Sequence, residues 1–184
     1  MSPQRRALVL FFHPTHKASH AGKALAAAVA GMNQVTLRDM YAIYPDYLID
    51  VKREQALLEE NDLIVFQHPV YWYSCPPLLK LWIDEVLEHG WAYGSGGTKL
   101  HGKTLLSAVT AGGPAEAYSP TGSNRHTINT FFSPFDQTAH LCGMKYAAPM
   151  VIHGARGLGD ADIAEVCGTY QQLLTNYIST GELP

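Results

Sequence analysis

Charge is scarce in this chain. Only 16% of its 184 residues are Asp, Glu, Lys or Arg, and 13 basic against 16 acidic side chains leave a formal net charge of −3. Neither the basic footprint of a nucleic-acid binder nor the charge excess of a disordered chain is present. Long apolar runs are missing as well. The run Ala7 to Phe12 is cut by His13-Pro14, too short for a signal peptide, and no stretch reaches the roughly 20 apolar residues of a membrane helix. A cytoplasmic protein is expected.

Cysteine is equally sparse. Cys75, Cys142 and Cys167 stand far apart without C-x-x-C spacing, too few and too odd in number for a disulfide framework or a zinc site. We read them as reduced thiols, Cys142 and Cys167 in helical stretches of the core and Cys75 in an aromatic loop. Internal repeats, low-complexity tracts and interdomain linkers are also lacking, and the segment His13–Lys23 has no Gly-x-Gly-x-x-Gly or P-loop spacing.

What the chain does have is apolar material, 47% of its residues, enough for one domain with a real core over residues 1–184. Strand-like and helix-like segments alternate along it. Ala7–Phe12 reads as a buried strand, and Ala-rich His20–Ala30 as a helix with Ser19 as N-cap and Gly31 at its end. Val35–Leu37 is a weaker strand and Tyr41–Tyr47 a loop. Val51–Asn61 follows as a helix and Leu63–Phe66 as a strand.

Pro76-Pro77 opens the next helix, which buries Leu78, Leu79, Trp82, Ile83, Val86 and Leu87 as one stripe. A glycine-rich loop, Gly90–Gly102, precedes strand Thr104–Val109, helix Ile128–Gly143, strand Tyr146–Ile152 and helix Ala161–Tyr177. This rhythm predicts an α/β fold, a doubly wound five-stranded parallel sheet in the flavodoxin-like order 2-1-3-4-5.

Ligands of such sheets lie at the carboxyl ends of the strands, which singles out three loops. His13–Lys23 packs hydroxyls, three imidazoles and two lysines around a helix N-terminus, a place that favours an anion such as phosphate. An ordinary capped helix with a solvated loop is an equal reading of that segment alone. Gln67–Pro77 contains Tyr71-Trp72-Tyr73, three successive aromatics whose side chains diverge, so at least one should face a flat ligand or a partner. Plain packing or a dimer contact is the competing reading. Thr110–Tyr118 carries Gly112-Gly113, where the backbone can approach a ligand and point N–H donors at it. A ligand-free glycine turn is the simpler reading in isolation. Together the three loops supply a phosphate pocket, an aromatic wall and a backbone anion hole, which is what flavin mononucleotide requires.

The stretch Asp62–Lys103 (DLIVFQHPVYWYSCPPLLKLWIDEVLEHGWAYGSGGTKLHGK), with Tyr44–Asp50 (YPDYLID), is distinctive. Through it the chain resembles the flavodoxin-like NAD(P)H:quinone oxidoreductase family, and within that the soluble ancillary subunits of glutathione-gated potassium efflux systems. The resemblance implies that His13, Ser19, His20 and Ala21 hold the phosphate side of the flavin and that Pro69, Val70, Tyr71, Trp72 and Tyr73 line its isoalloxazine. It implies further that Thr110, Ala111, Gly112, Gly113 and Tyr118 hold the pyrimidine edge. Gly22 stands where the family often has Asn, and Ala111 where it has a second Thr. The proton relay of the quinone reductases pairs a Tyr, here Tyr118, with a His a few residues on; the gapless position is Asn124, and His126 lies two residues beyond it.

Larger relatives that bind FAD carry an added C-terminal region, so FMN is expected. The implied activity is a two-electron transfer from NAD(P)H through FMN to a quinone or related acceptor, with Tyr118 and His126 as catalytic residues in a homodimer. The resemblance equally implies a regulatory ancillary subunit, with flavin mainly structural, that activates a potassium/proton antiporter from the cytoplasmic face of the inner membrane. A one-electron carrier flavodoxin fits less well, because the charge is only −3 and residues 13–21 form no Thr/Ser/Gly-rich phosphate loop.

Overall fold

A computed structural model describes residues 4–15 and 19–183. Strands β1 (Ala7–Phe11), β2 (Val35–Asp39), β3 (Leu63–Pro69) and β4 (Thr104–Thr110) run parallel in the order β2-β1-β3-β4. The edge beside β4 is shared by two short pieces, β5 (Lys145–Tyr146) and β6 (Met150–Ile152). The expected order 2-1-3-4-5 is thus present, with its fifth strand divided. Register carries Ala7 opposite Leu63 and Leu63 opposite Thr104, so the three central strands end together at Phe11, Gln67–Pro69 and Thr110.

Strand alternation builds two cores. Leu8, Leu10, Ile64, Phe66, Leu105 and Val109 face α3 (Val51–Glu60), α4 (Pro77–Val86) and α5 (Ser133–Leu141), while Ala7, Val9, Leu63, Val65, Leu106 and Ala108 face α1 (His20–Val29) and α6 (Asp160–Thr180). Burial on both faces is why these strands read as unbroken apolar runs. Among the described residues no helix is long and apolar enough to cross a membrane.

Several boundaries differ from expectation. Met40–Ile43, overlapping the start of the expected loop Tyr41–Tyr47, forms a one-turn helix α2, capped by the Asp39 carboxylate, which accepts the Ala42 N–H at 3.3 Å. The expected helix Ile128–Gly143 begins as a 3₁₀ turn, Ile128–Phe132, and becomes α-helical only from Ser133, with Pro134 in its first turn. Ser19 occupies the N-cap position of α1, but its side chain makes no capping bond. Cys142 ends α5 and is buried; Cys75 and Cys167 are half-buried, and all three are free thiols, raised by burial.

Beyond β3 the chain folds back on itself. Tyr71 and Ser74 exchange backbone hydrogen bonds of 3.2 and 2.9 Å around Trp72 (φ 47°) and Tyr73 (φ 62°). Two bulky residues with positive φ in one tight turn occupy the places where hairpins prefer Asn-Gly, at about 1–2 kcal/mol each.

Two buried polar groups brace the elements around this edge. Glu54 on α3 is fully buried and accepts from the Arg38 guanidinium of β2, from Tyr44 Oη at 2.7 Å and from Trp82 Nε1 of α4 at 3.1 Å. Burial, helped by that contact with Glu54, pushes the Tyr44 phenol up to about 12. His68 on β3 lies against Phe132 and Phe135; its Nδ1 meets the Pro69 carbonyl at 2.9 Å and must be the donor, which leaves Nε2 buried without a partner. Burial pulls its pKa down to about 4.

Replacing Glu54 by Ala strands the Arg38 charge, and urea unfolding should show a loss of about 3–5 kcal/mol, against roughly 1 kcal/mol for Tyr44→Phe. His68 predicts a pH dependence. Its folded pKa lies below the unfolded value of about 6.5, so its contribution is intact above about pH 6.5 and declines as pH falls towards 4, by about 3 kcal/mol in total. Unfolding curves at pH 7 and 4.5 should differ less for His68→Leu than for the parent; equal differences would remove His68 from the acid sensitivity.

Candidate active site

A cavity of about 380 Å³ opens at the carboxyl edge of the sheet, between the loops that follow β1, β3, β4 and β6. Its floor is set by the central ladder. Phe12 N–H donates to the Gln67 carbonyl at 2.8 Å, and Val70 N–H to that of Thr110 at 2.8 Å, carrying the parallel pairing past the strand ends. Gln67 Nε2 donates to the Gly22 carbonyl at 2.8 Å, tying the first turn of α1 to β3.

Ten of the expected residues lie on the cavity wall: His13, Ser19, His20 and Ala21 at one end, Pro69, Val70 and Tyr71 along the side, and Thr110, Ala111 and Gly112 at the other. His16, Lys17 and Ala18 of the expected phosphate loop lie outside the described residues. Because Ser19 does not cap α1, no acceptor among the described residues takes the N–H groups of His20, Ala21 or Gly22. Gly22 is also on the wall, and a Cβ there would come 2.4 Å from Ser19 Oγ, so a larger residue would require the Ser19 hydroxyl to turn aside.

Five expected residues lie off the wall. Trp72 is 93% exposed, because the reversed turn carries it away from the cavity. Tyr73 packs on Phe131, with ring centroids 5.1 Å apart. Gly113 sits beneath Tyr118, where a Cβ would meet the ring at 3.3 Å and the hydroxyl at 3.4 Å. Tyr118 packs against His153 at 5.3 Å and Phe131 at 6.3 Å. His126 also meets Phe131, at 6.1 Å; Asn124 is tied by its backbone N–H to the Ala117 carbonyl.

Sequence reasoning stopped at the loops after the first, third and fourth strands and so missed the loop after the fifth. Ala155 and Arg156 lie on the wall, and His153 adjoins Tyr118. That loop is stitched to the glycine turn: Ala111 N–H donates to the Ile152 carbonyl at 2.8 Å, Ala155 N–H to that of Ala111 at 3.0 Å, and Gly154 N–H to that of Gly113 at 2.9 Å. The carboxyl-edge rule, applied to Met150–Ile152 as well, would have found it.

Among the described residues the wall contains no Asp or Glu, while Arg156 contributes a permanent positive charge. Backbone N–H groups of Gly112 and Gly113 have no acceptor among the described residues. The cavity therefore offers unsatisfied donors at both ends and apolar surface from Pro69 and Val70 between them.

The chain is similar to known proteins. The chain is 41% identical over 181 residues to the glutathione-regulated potassium-efflux system ancillary protein KefG of Escherichia coli, with 98% of each chain covered. Among solved structures it is similar to general stress protein 14 of Treponema denticola in complex with FMN, with a TM-score of 0.85, 35% identity, and 96% of this chain and 99% of that one covered. It is similar to an NADPH-quinone reductase of P. pentosaceus with a TM-score of 0.85, 30% identity, and 93% and 98% covered. With the sheet order, the carboxyl-edge cavity and these relatives in agreement, and with the family model matching residues 5–174, the chain belongs to the flavodoxin-like fold family.

Proposed function

We propose that the cavity binds FMN and that the protein is an NAD(P)H-dependent two-electron reductase of quinone-type acceptors. The observation that carries this reading is the acid-free wall with unsatisfied backbone donors at both ends. A dianionic phosphate suits the open first turn of α1, where the helix dipole is positive. A flat ring suits Pro69–Tyr71, and its polar pyrimidine edge suits the N–H pair of Gly112 and Gly113. A volume of about 380 Å³ lies within the roughly 300–1,000 Å³ of small-molecule sites. The FMN complex of general stress protein 14 from Treponema denticola supports the same cofactor here.

FMN, when bound, supplies the electron-pair chemistry between reduced nicotinamide and acceptor. The chain's own part is electrostatic. Gly112 and Gly113, whose N–H groups have no acceptor among the described residues, would hold the pyrimidine edge and stabilise negative charge there on reduction, and Tyr118, whose hydroxyl lies 3.4 Å from where a Cβ on Gly113 would stand, would add a donor. His126, whose ring packs on the same Phe131 as Tyr118, would be the second member of a proton relay. Trp72 and Tyr73, exposed on the turn after β3, offer apolar surface to a second copy of the chain, and a homodimer belongs to this reading.

Similarity to KefG over 98% of both chains favours a second role, compatible with the first: an ancillary subunit that sits at the inner membrane by docking on a potassium/proton antiporter. The two roles separate on whether transporter activation needs reduced nicotinamide.

Titration with FMN should quench flavin fluorescence with one site per chain, and NADH or NADPH should bleach the bound flavin. Unchanged fluorescence at micromolar protein would reject the cofactor. Tyr118→Phe should slow flavin reduction about tenfold in stopped flow and leave FMN affinity within about twofold, because two backbone donors share the charge. Reduction at the parental rate would take Tyr118 out of the mechanism, and lost FMN would make it a binding residue.

A further inference from the structure

The loop between β6 and α6 brings a full positive charge to the glycine turn. Three backbone hydrogen bonds join residues 111–113 to residues 152–155: Ala111 N–H to the Ile152 carbonyl at 2.8 Å, Gly154 N–H to that of Gly113 at 2.9 Å, and Ala155 N–H to that of Ala111 at 3.0 Å. Arg156 is the next residue, so the turn itself restrains its backbone. Its side chain lies beside that turn, with Nε and Cζ 3.6 and 3.9 Å from the position a Cβ on Gly112 would occupy, and both residues are on the cavity wall. Arg156 is exposed, and among the described residues its guanidinium makes no ion pair or hydrogen bond, so meeting a ligand there breaks no existing contact.

In the FMN reading this end of the cavity receives the pyrimidine edge of the ring, and that edge changes charge in the reaction. Hydride transfer breaks a C–H bond of the reduced nicotinamide and forms an N–H bond at flavin N5, delivering two electrons and one proton. The nicotinamide leaves oxidised, and the neutral ring gains a single negative charge, shared between N1 and O2 of the pyrimidine edge. An N–H dipole serves the carbonyl oxygen of either form. A unit charge discriminates between them, because its Coulomb attraction is large only once the ring is charged. The guanidinium stays protonated throughout and can donate to two neighbouring acceptors at once. Placed beforehand by the bonds to the glycine turn, it acts without rearrangement.

We propose that Arg156 is the charge partner of the reduced flavin: it pairs with the N1/O2 edge, raises the potential of bound FMN and so favours the hydride-accepting step. This rests on the FMN reading above. It assigns a catalytic residue to a loop outside the three that sequence reasoning selected.

The test is an anaerobic redox titration of bound FMN against a reference dye of known potential, in the parent protein and in Arg156→Ala and Arg156→Lys. Fluorescence titrations of the three apoproteins with oxidised FMN and with riboflavin accompany it. Losing a charge-assisted hydrogen bond made to the reduced ring should weaken reduced FMN about 10- to 100-fold relative to oxidised FMN in Arg156→Ala, which lowers the two-electron potential by about 30–60 mV. Oxidised FMN should stay within about threefold, the check that the exposed substitution leaves the cavity intact. Arg156→Lys, which keeps the charge without the planar fork, should recover part of the shift. A potential equal to the parent's overturns the proposal. So does a tenfold loss of oxidised FMN with riboflavin affinity and the potential unchanged, which would place the guanidinium at the phosphate instead. If the unaltered protein takes up neither flavin, the FMN reading fails and the proposal with it, a result distinct from an unshifted potential in flavin-loaded protein.

Discussion

The parallel ladder of β1, β3 and β4, covered on both faces, constrains everything around it. Parallel strands must be joined by crossovers, so every carboxyl end emerges at one edge and every return passes over a face. Shared register ends the three strands at the same level, and the loops there meet rather than scatter. The cavity is a product of that register. Past the strand ends the ladder takes up Phe12 N–H on Gln67 and Val70 N–H on Thr110, and beyond it the N–H groups of Gly112 and Gly113 have no acceptor among the described residues.

Much of this was legible in the residues. Ala7–Phe12, Leu63–Phe66 and Thr104–Val109 stand out because burial on both sides demands continuous apolar runs, and the loops after them hold ten of the expected wall residues. Illegible parts depend on contacts distant in sequence. Helix α2 is four residues long and held by one Asp39 carboxylate, too short for any periodicity to register. Trp72 and Tyr73 leave the cavity through a turn whose dihedrals nothing in their side chains announces. Arg156 and His153 reach the site only through hydrogen bonds to residues about forty positions earlier.

Charge is distributed with the same economy. Among the described residues the fully buried acid, Glu54, is enclosed by Arg38, Tyr44 and Trp82, joins β2, α3 and α4, and is not part of the cavity wall. Keeping carboxylates off the cavity wall preserves the reach of weak positive sources, a helix end and backbone dipoles, which a nearby acid would cancel. Low overall charge and a positive-leaning pocket are therefore compatible.

The division of the last strand has its own consequence. A sheet edge is a row of unpaired donors and acceptors, open to another chain in the manner of amyloid growth. Here that edge offers two residues, Lys145–Tyr146, then an interruption ending in Pro149, which has no N–H to give, then three more. The opposite edge, β2, is five residues long and ends in Arg38 and Asp39. Neither margin presents a long, flat, apolar strand to a neighbour, so the architecture that gathers loops at one end also guards its sides against polymerisation.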